Sequence, residues 1–379
     1  MDAAHNAELV PHYTEHIYAT KSGVALPLRV WRSTRDAPDA ANYADPSDPV
    51  YEIASSVTAR TGLREPSPPT PKPWLLWSHG GAFLGGSVAP PPWVLPAFLP
   101  WAHVVSYGYR LAPAVGLGEM EADGADAAAW CAAHLPQILP DIDVHSYAVG
   151  GLSAGGALAL LNALAAEGDR RTNPRAVLSA YAMSDLADTH FEPHFTGPGY
   201  DPGVLSGRFS EGELEKAIEA RDASAALTAL PNRDDPDGPG VLARAASGIR
   251  GLLGAEDPAA LAADVKIHMA ATGRIVRILT RREMYTDDES WRAAAAEVSP
   301  VSRVGRGFPP TALLHGIADR TVPVDQTVRL AKTLADADVP VKEVYVPGAD
   351  HCFDFEITVG GNIGKNADCR DPGRLVGTT

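Results

Sequence analysis

Gly151-Leu152-Ser153-Ala154-Gly155 places a hydroxyl between two glycines. The pentapeptide joins an apolar run, YAVGGL (147–152), to an Ala- and Leu-rich run, AGGALALLNALAAEG (154–168), which Gly168 closes. The first reads as a buried strand and the second as a helix. A turn this tight has no room for side chains at 151 and 155, which accounts for glycine at both. It would project Ser153 from the strand end, with a helix N-terminus behind it that favours developing negative charge. That is the setting for nucleophilic attack on a carbonyl. The bland alternative, a Gly-rich turn with an incidental serine, does not explain the strand–turn–helix context.

His79-Gly80-Gly81-Ala82-Phe83 follows a second apolar run, WLLWS (74–78). Consecutive glycines let backbone N–H groups face a cavity, so Gly80, Gly81 and Ala154, the residue after the serine, are candidate donors to an oxyanion. A loop with no ligand remains the alternative. Phe83 and Leu152, which flank these donors in sequence, are the candidate substrate contacts.

A nucleophilic serine needs a base, and the base needs a carboxylate that fixes its tautomer. His190, His194, His268, His315 and His351 follow Ser153 in the chain. The first three fall in a helical stretch, and His315 sits at a strand end in HGIAD (315–319). His351, in the loop after the last strand, is the candidate base. The acid should leave the preceding strand's carboxyl end, which selects Asp319. Asp325 reads as the N-cap of the next helix, and Asp350 is too close in sequence to His351 to face it.

The elements that must hold these residues alternate. Strands are predicted at 74–81, 103–111, 147–152, 175–186, 310–319 and 341–348, with helices at 121–135, 154–168 and 325–337 between them. This rhythm implies βαβ units, a mostly parallel central sheet flanked by helices and an α/β class. Two short strands around Lys21-Ser22-Gly23 precede it, followed by a Pro-rich excursion over 33–73. Residues 187–298 break the rhythm with helices at 210–220, 257–271 and 287–298. The first carries the Ser210/Glu213 spacing of a capping box. An all-helical insertion between sheet strands reads as a cap. The expected division is an N-terminal segment 1–72, a core of 73–186 with 299–356, a cap 187–298 and an irregular tail 357–379.

Composition bounds the rest. The chain has 379 residues, 45% hydrophobic and 21% charged, an ordinary globular balance. A net charge of −15 argues against nucleic acid as a partner. The start lacks a basic n-region and an apolar core, so no secretory signal is expected, and no run is long enough for a transmembrane span. With three cysteines, Cys131, Cys352 and Cys369, a cytoplasmic location is the expectation and no disulfide framework is visible. A Cys352–Cys369 bridge stays open. Cys352 itself reads as a buried filler. No His/Cys cluster has metal spacing and HGGAFLGG (79–86) lacks the Lys of a phosphate loop, so no cofactor or metal is expected. APPPWVLPAFLPW (89–101) is either a hydrophobic lip for a substrate or a packed loop.

Taken together, HGGAF, YRLAP (109–113), GLSAGG (151–156), HGIAD and GADH resemble the hormone-sensitive-lipase-like branch of the α/β-hydrolase superfamily. That branch holds carboxylesterases and arylacetamide deacetylases, and the resemblance spans about residues 74–353. It implies an α/β-hydrolase fold with a helical cap. Ser153 would be the nucleophile, Asp319 the acid and His351 the base, with Gly80, Gly81 and Ala154 as the oxyanion hole. The implied partner is a small-molecule ester, hydrolysed through an acyl-enzyme without cofactor. No stable membrane insertion is implied, and a homodimer is left open. Three departures stand out. Leu152 replaces an acid common before the nucleophile, Ala114 replaces the glutamate usual after YRLAP, and 357–379 is too Gly-rich and polar for the usual terminal helix. Two other readings stay open: a non-hydrolytic step such as elimination, cyclisation or acyl transfer on the same scaffold, and a non-catalytic small-molecule receptor.

Overall fold

The computed structural model describes residues 12–34, 70–166, 173–191, 208–221, 261, 264–265, 268–269 and 272–356. Most of the Pro-rich excursion, parts of the cap stretch, His194, Cys369 and the tail 357–379 lie outside them.

Alternating apolar residues build the sheet. Its strands are β1 (Tyr13–Lys21), β2 (Val24–Trp31), β3 (Lys72–Ser78), β4 (His103–Tyr107), β5 (Ile142–Leu152), β6 (Ala176–Ala180), β7 (Thr311–Gly316) and β8 (Val341–Val346). They lie in the order β1-β2-β4-β3-β5-β6-β7-β8. β1 pairs with β2, and β2 with β4, antiparallel; every other pairing is parallel. The period of two along β3 serves both faces: Trp74 and Leu76 enter the larger core cluster, Leu75 and Trp77 the smaller.

Helices α1 (Val94–Phe98), α2 (Leu117–Ile138), α3 (Ala154–Ala165), α4 (Glu211–Ala220), α5 (Ile275–Leu279), α6 (Asp288–Val298), α7 (Pro300–Arg303) and α8 (Asp325–Asp336) accompany the sheet. α3 is buried nearly all round, as its unbroken Ala/Leu sequence requires. The Ser210/Glu213 pair forms the expected capping box on α4. Leu214 and Ile218 of α4, Ile275 of α5 and Trp291 of α6 belong to the larger cluster of buried apolar residues. Asp325 is the first residue of α8 and not its cap; Val324 holds that position.

Five strands stop short of their predicted ends, β3, β7 and β8 by two or three residues and β4 and β6 by more. β4 ends at Tyr107, and residues 109–113 instead support the glycine loop. β6 ends at Ala180 because Tyr181 turns to φ 37°. The chain then leaves the sheet, where Gln326 Oε1 accepts from the N–H groups of Ser184 and Asp185 at 2.9 and 2.8 Å. Among the described residues, no helix is long and apolar enough to cross a membrane.

Candidate active site

β5 runs through the sheet between β3 and β6 and ends at Leu152. Ser153 then adopts φ 53° and ψ −121°, a strained conformation for a residue with a Cβ, and α3 begins at Ala154. Close approach explains the flanking glycines. A Cβ at Gly151 would stand 2.2 Å from the Gly155 carbonyl oxygen, and one at Gly155 would stand 2.1 Å from that of Ser78. Both obstacles are backbone and cannot swing aside. Gly155→Ala is therefore expected to destabilise the fold by about 1–3 kcal/mol or more, read as a lower urea midpoint, with activity lost in parallel.

The loops after β7 and β8 bring two further side chains to this turn. Ile317 N donates to Val346 O and Ala318 N to Ala349 O, each at 3.0 Å, so the two loops are laced together. Asp319 leaves the first and His351 the second. His351 Nδ1–H donates to Asp319 Oδ2 at 2.7 Å, and the Ser153 hydroxyl donates to His351 Nε2 at 3.0 Å. Asp319 Oδ1 accepts from the backbone N–H of Thr321 at 2.8 Å and of Val322 at 2.9 Å. Asp350 faces away from this relay; it accepts from His351 N and pairs with Arg320.

The electrostatics follow from burial and these bonds. Burial by itself would raise Asp319, but the hydrogen bonds from His315 and His351 outweigh it and hold the carboxyl well below the usual range. Burial by itself would lower His351, but the Asp319 bond and charge, with Cys352 alongside, bring it up to about 9. The carboxylate thus stays ionised and favours the imidazolium form of its neighbour.

His79–Gly86 lies against the end of β5. Gly80 sits beside Leu152, where a Cβ would meet Leu152 Cδ1 at 2.4 Å, and Gly81 takes φ +115°, which glycine tolerates best. Residues 109–113 support this loop. The Tyr109 hydroxyl donates to His79 O at 2.9 Å, its ring stacks on His79 at 4.3 Å, and Ala112 N donates to Phe83 O at 2.9 Å. Arg110 is locked to buried Asp123 by Nε and Nη2 at 2.9 and 2.8 Å. Burial lowers His79 to about 4, so its ring is neutral, and Nδ1–H donates to Gly80 O.

His351 also has an aromatic brace. The Tyr181 ring meets it edge to face at 4.7 Å, and the Tyr181 hydroxyl donates to Asp354, which is fully buried. Trp93 Nε1 donates to the other oxygen of Asp354 at 2.8 Å. Residues 89–101 therefore resolve largely as packing: Val94 and Leu99 are buried and Trp93 is tied down, while Trp101 remains 46% exposed.

Phe83 is fully buried in the larger core cluster and Leu152 is buried in the smaller one, so neither offers an open surface to a bound molecule. Cys352 is exposed, not a filler, because φ 62° turns it out of the core directly after His351. His268 pairs with Glu215 at 2.7 Å, and His190 N caps onto Asp188. Among the described residues, no group of three or more His, Cys, Asp or Glu side chains could hold a metal ion.

The family model described as alpha/beta hydrolase fold matches residues 75–211, and that of the prolyl oligopeptidase family matches residues 260–360. A non-reducing polyketide synthase of Aspergillus terreus is 31% identical over 284 residues, covering 68% of this chain and 10% of the relative. One of Penicillium brevicompactum is 29% identical over 277 residues, again covering 68% and 10%. The chain thus spans about a tenth of the length of the curated relatives it matches. Among solved structures, Thermogutta terrifontis esterase 2 is 18% identical with a TM-score of 0.45, covering 90% of this chain and 86% of that one.

Proposed function

The chain belongs to the α/β-hydrolase superfamily, and from that premise we propose that it is a serine hydrolase that cleaves a carboxylic ester or thioester through an acyl-enzyme. Ser153 is the nucleophile, His351 the base and Asp319 the acid. The observation that carries this reading is the continuous relay from the Ser153 hydroxyl through His351 to Asp319, at 3.0 and 2.7 Å. Nδ1–H donates a hydrogen bond to the ionised carboxylate, which fixes the tautomer and leaves the Nε2 lone pair facing the serine.

His351 takes the serine proton as Oγ attacks the carbonyl. Asp319 stabilises the imidazolium that forms. N–H groups of Gly80, Gly81 and Ala154 are the proposed donors to the oxyanion, and a helix N-terminus at Ala154 adds favourable partial charge. The imidazolium then gives its proton to the leaving group. Water attacks the acyl-enzyme with His351 as base again, and Ser153 is released. Release of p-nitrophenol from acetate, butyrate and octanoate esters by the wild type, ranked by acyl length, tests this reading. No turnover of any ester by folded protein would count against it.

A second reading draws on the likeness to non-reducing polyketide synthases. On the same acyl-enzyme, a hydroxyl or carbon nucleophile of a specialised metabolite would replace water, so that release is acyl transfer or cyclisation. Turnover in 18O-labelled water separates the two. Hydrolysis places one labelled oxygen in the product acid, whereas transfer or cyclisation leaves the product unlabelled.

A further inference from the structure

His315 is fully buried at the end of β7 and the relay does not use it. Its Nε2 lies 2.9 Å from Val322 O and 3.2 Å from Asp319 Oδ2. A carbonyl and an ionised carboxylate can only accept, so Nε2 carries the hydrogen and shares it between them. Nδ1 lies 2.6 Å from Oγ1 of the buried Thr327 on α8. A neutral ring protonated at Nε2 satisfies all three neighbours, with the Thr327 hydroxyl donating to Nδ1. Asp319 Oδ2 therefore stands between two imidazoles, while its Oδ1 is held by two backbone N–H groups.

We propose that His315 is a positioning residue acting through Asp319, whose Nε2–H keeps Oδ2 turned to His351 and draws negative charge away from that oxygen. The proposal rests on the catalytic reading of Ser153, His351 and Asp319. The two bonds to Oδ1 already restrain the rotation of the carboxylate, so the separate contribution of His315 is at Oδ2. Removing this donor leaves more charge facing His351 Nδ1, holds the imidazolium more tightly and makes the base harder to free. The other groups around His351 are the Tyr181 ring with Asp354 behind it, Cys352, and Asp350 paired to Arg320. None of these touches Asp319 Oδ2 in place of His315.

The test compares pH profiles of kcat/KM for p-nitrophenyl butyrate in His315→Leu, His315→Gln and Leu313→Ala. Leu313 is a buried neighbour on β7 that serves as a control for simple destabilisation. In His315→Leu the acid limb is expected to move up by about half a pH unit or more, with kcat reduced several-fold and KM within about twofold. His315→Gln, whose amide N–H can replace Nε2–H, should recover most of both, and Leu313→Ala should leave the limb in place. An unmoved limb in folded His315→Leu, or an equal shift in Leu313→Ala, overturns the proposal. If His315→Leu does not fold, His315→Phe decides. It keeps an aromatic ring in the buried site but offers no N–H to Asp319 Oδ2, and a limb that stays put overturns the proposal. Ser153→Ala run in parallel separates the two levels. Its inactivity with no limb shift at 315 defeats the role of His315 alone, whereas its full activity defeats the catalytic reading as well.

Discussion

Ser153→Ala is expected to lower kcat by about 10^6 while leaving KM and the melting curve nearly unchanged. The serine hydroxyl is the only group at the strand–helix turn with a hydrogen bond to His351 Nε2, among the described residues. Deleting Oγ removes the atom that would form the acyl bond, but the glycine loop and the helix N-terminus remain. A residue of catalysis over water, roughly 10^3–10^4, should therefore survive through the proposed oxyanion donors. Stability should shift by less than about 1 kcal/mol, because the turn is held by backbone contacts such as Ser153 N to Ala180 O at 2.8 Å. Initial rates and a thermal melt on the same preparation check both halves.

Asp319→Asn should cost about 10^4 in kcat, for a different reason. With the amide oxygen accepting from Thr321 and Val322 N–H, the NH2 group takes the place of Oδ2 and faces His351 Nδ1. A donor there requires Nδ1 to be the acceptor, which moves the ring proton to Nε2. The base then presents a hydrogen to Ser153, where a lone pair is needed. The same variant should alter the pH profile, with a definite sign. Only neutral His351 can accept a proton, so activity rises with pH through its titration. In the wild type the Asp319 carboxylate raises that titration above the ordinary imidazole value of about 6.5. Asn carries no charge, so the residual activity should show its acid limb at lower pH than the wild type. A limb that fails to move down would mean that Asp319 does not set the charge state of His351.

The parts of this site that could be read from sequence are those where backbone geometry demands a residue type. Gly151 and Gly155 announce the turn because the Gly155 and Ser78 carbonyls leave no space for a Cβ. Asp319 and His351 sit in loops directly after apolar strands, so their meeting follows from two neighbouring parallel strands, β7 and β8. The strand and helix alternation is likewise carried by apolar periodicity, which is local.

What could not be read depends on long-range packing or on a single dihedral. The Tyr181–Asp354 bond joins residues 173 apart, and neither has a motif. His315 could be seen at a strand end, but not that its ring turns back onto Asp319. Phe83 follows the glycine loop, and only the fold shows that it points into the core. Cys352 is exposed through one left-handed dihedral. The strands over 103–111 and 175–186 end at Tyr107 and Ala180, because Tyr109 and Leu111, or Tyr181, Ala182 and Met183, keep a strand's apolar composition after the chain has left the sheet.

On the proposed mechanism, an acyl group passes onto one hydroxyl, that of Ser153. Intact-mass measurement after brief exposure to a fluorophosphonate, followed by peptide mapping, tests it most directly. The expected result is one adduct per chain, on the peptide containing Ser153, and none in Ser153→Ala. Folded wild-type protein that stays unlabelled, or that is labelled equally in Ser153→Ala, would contradict the account.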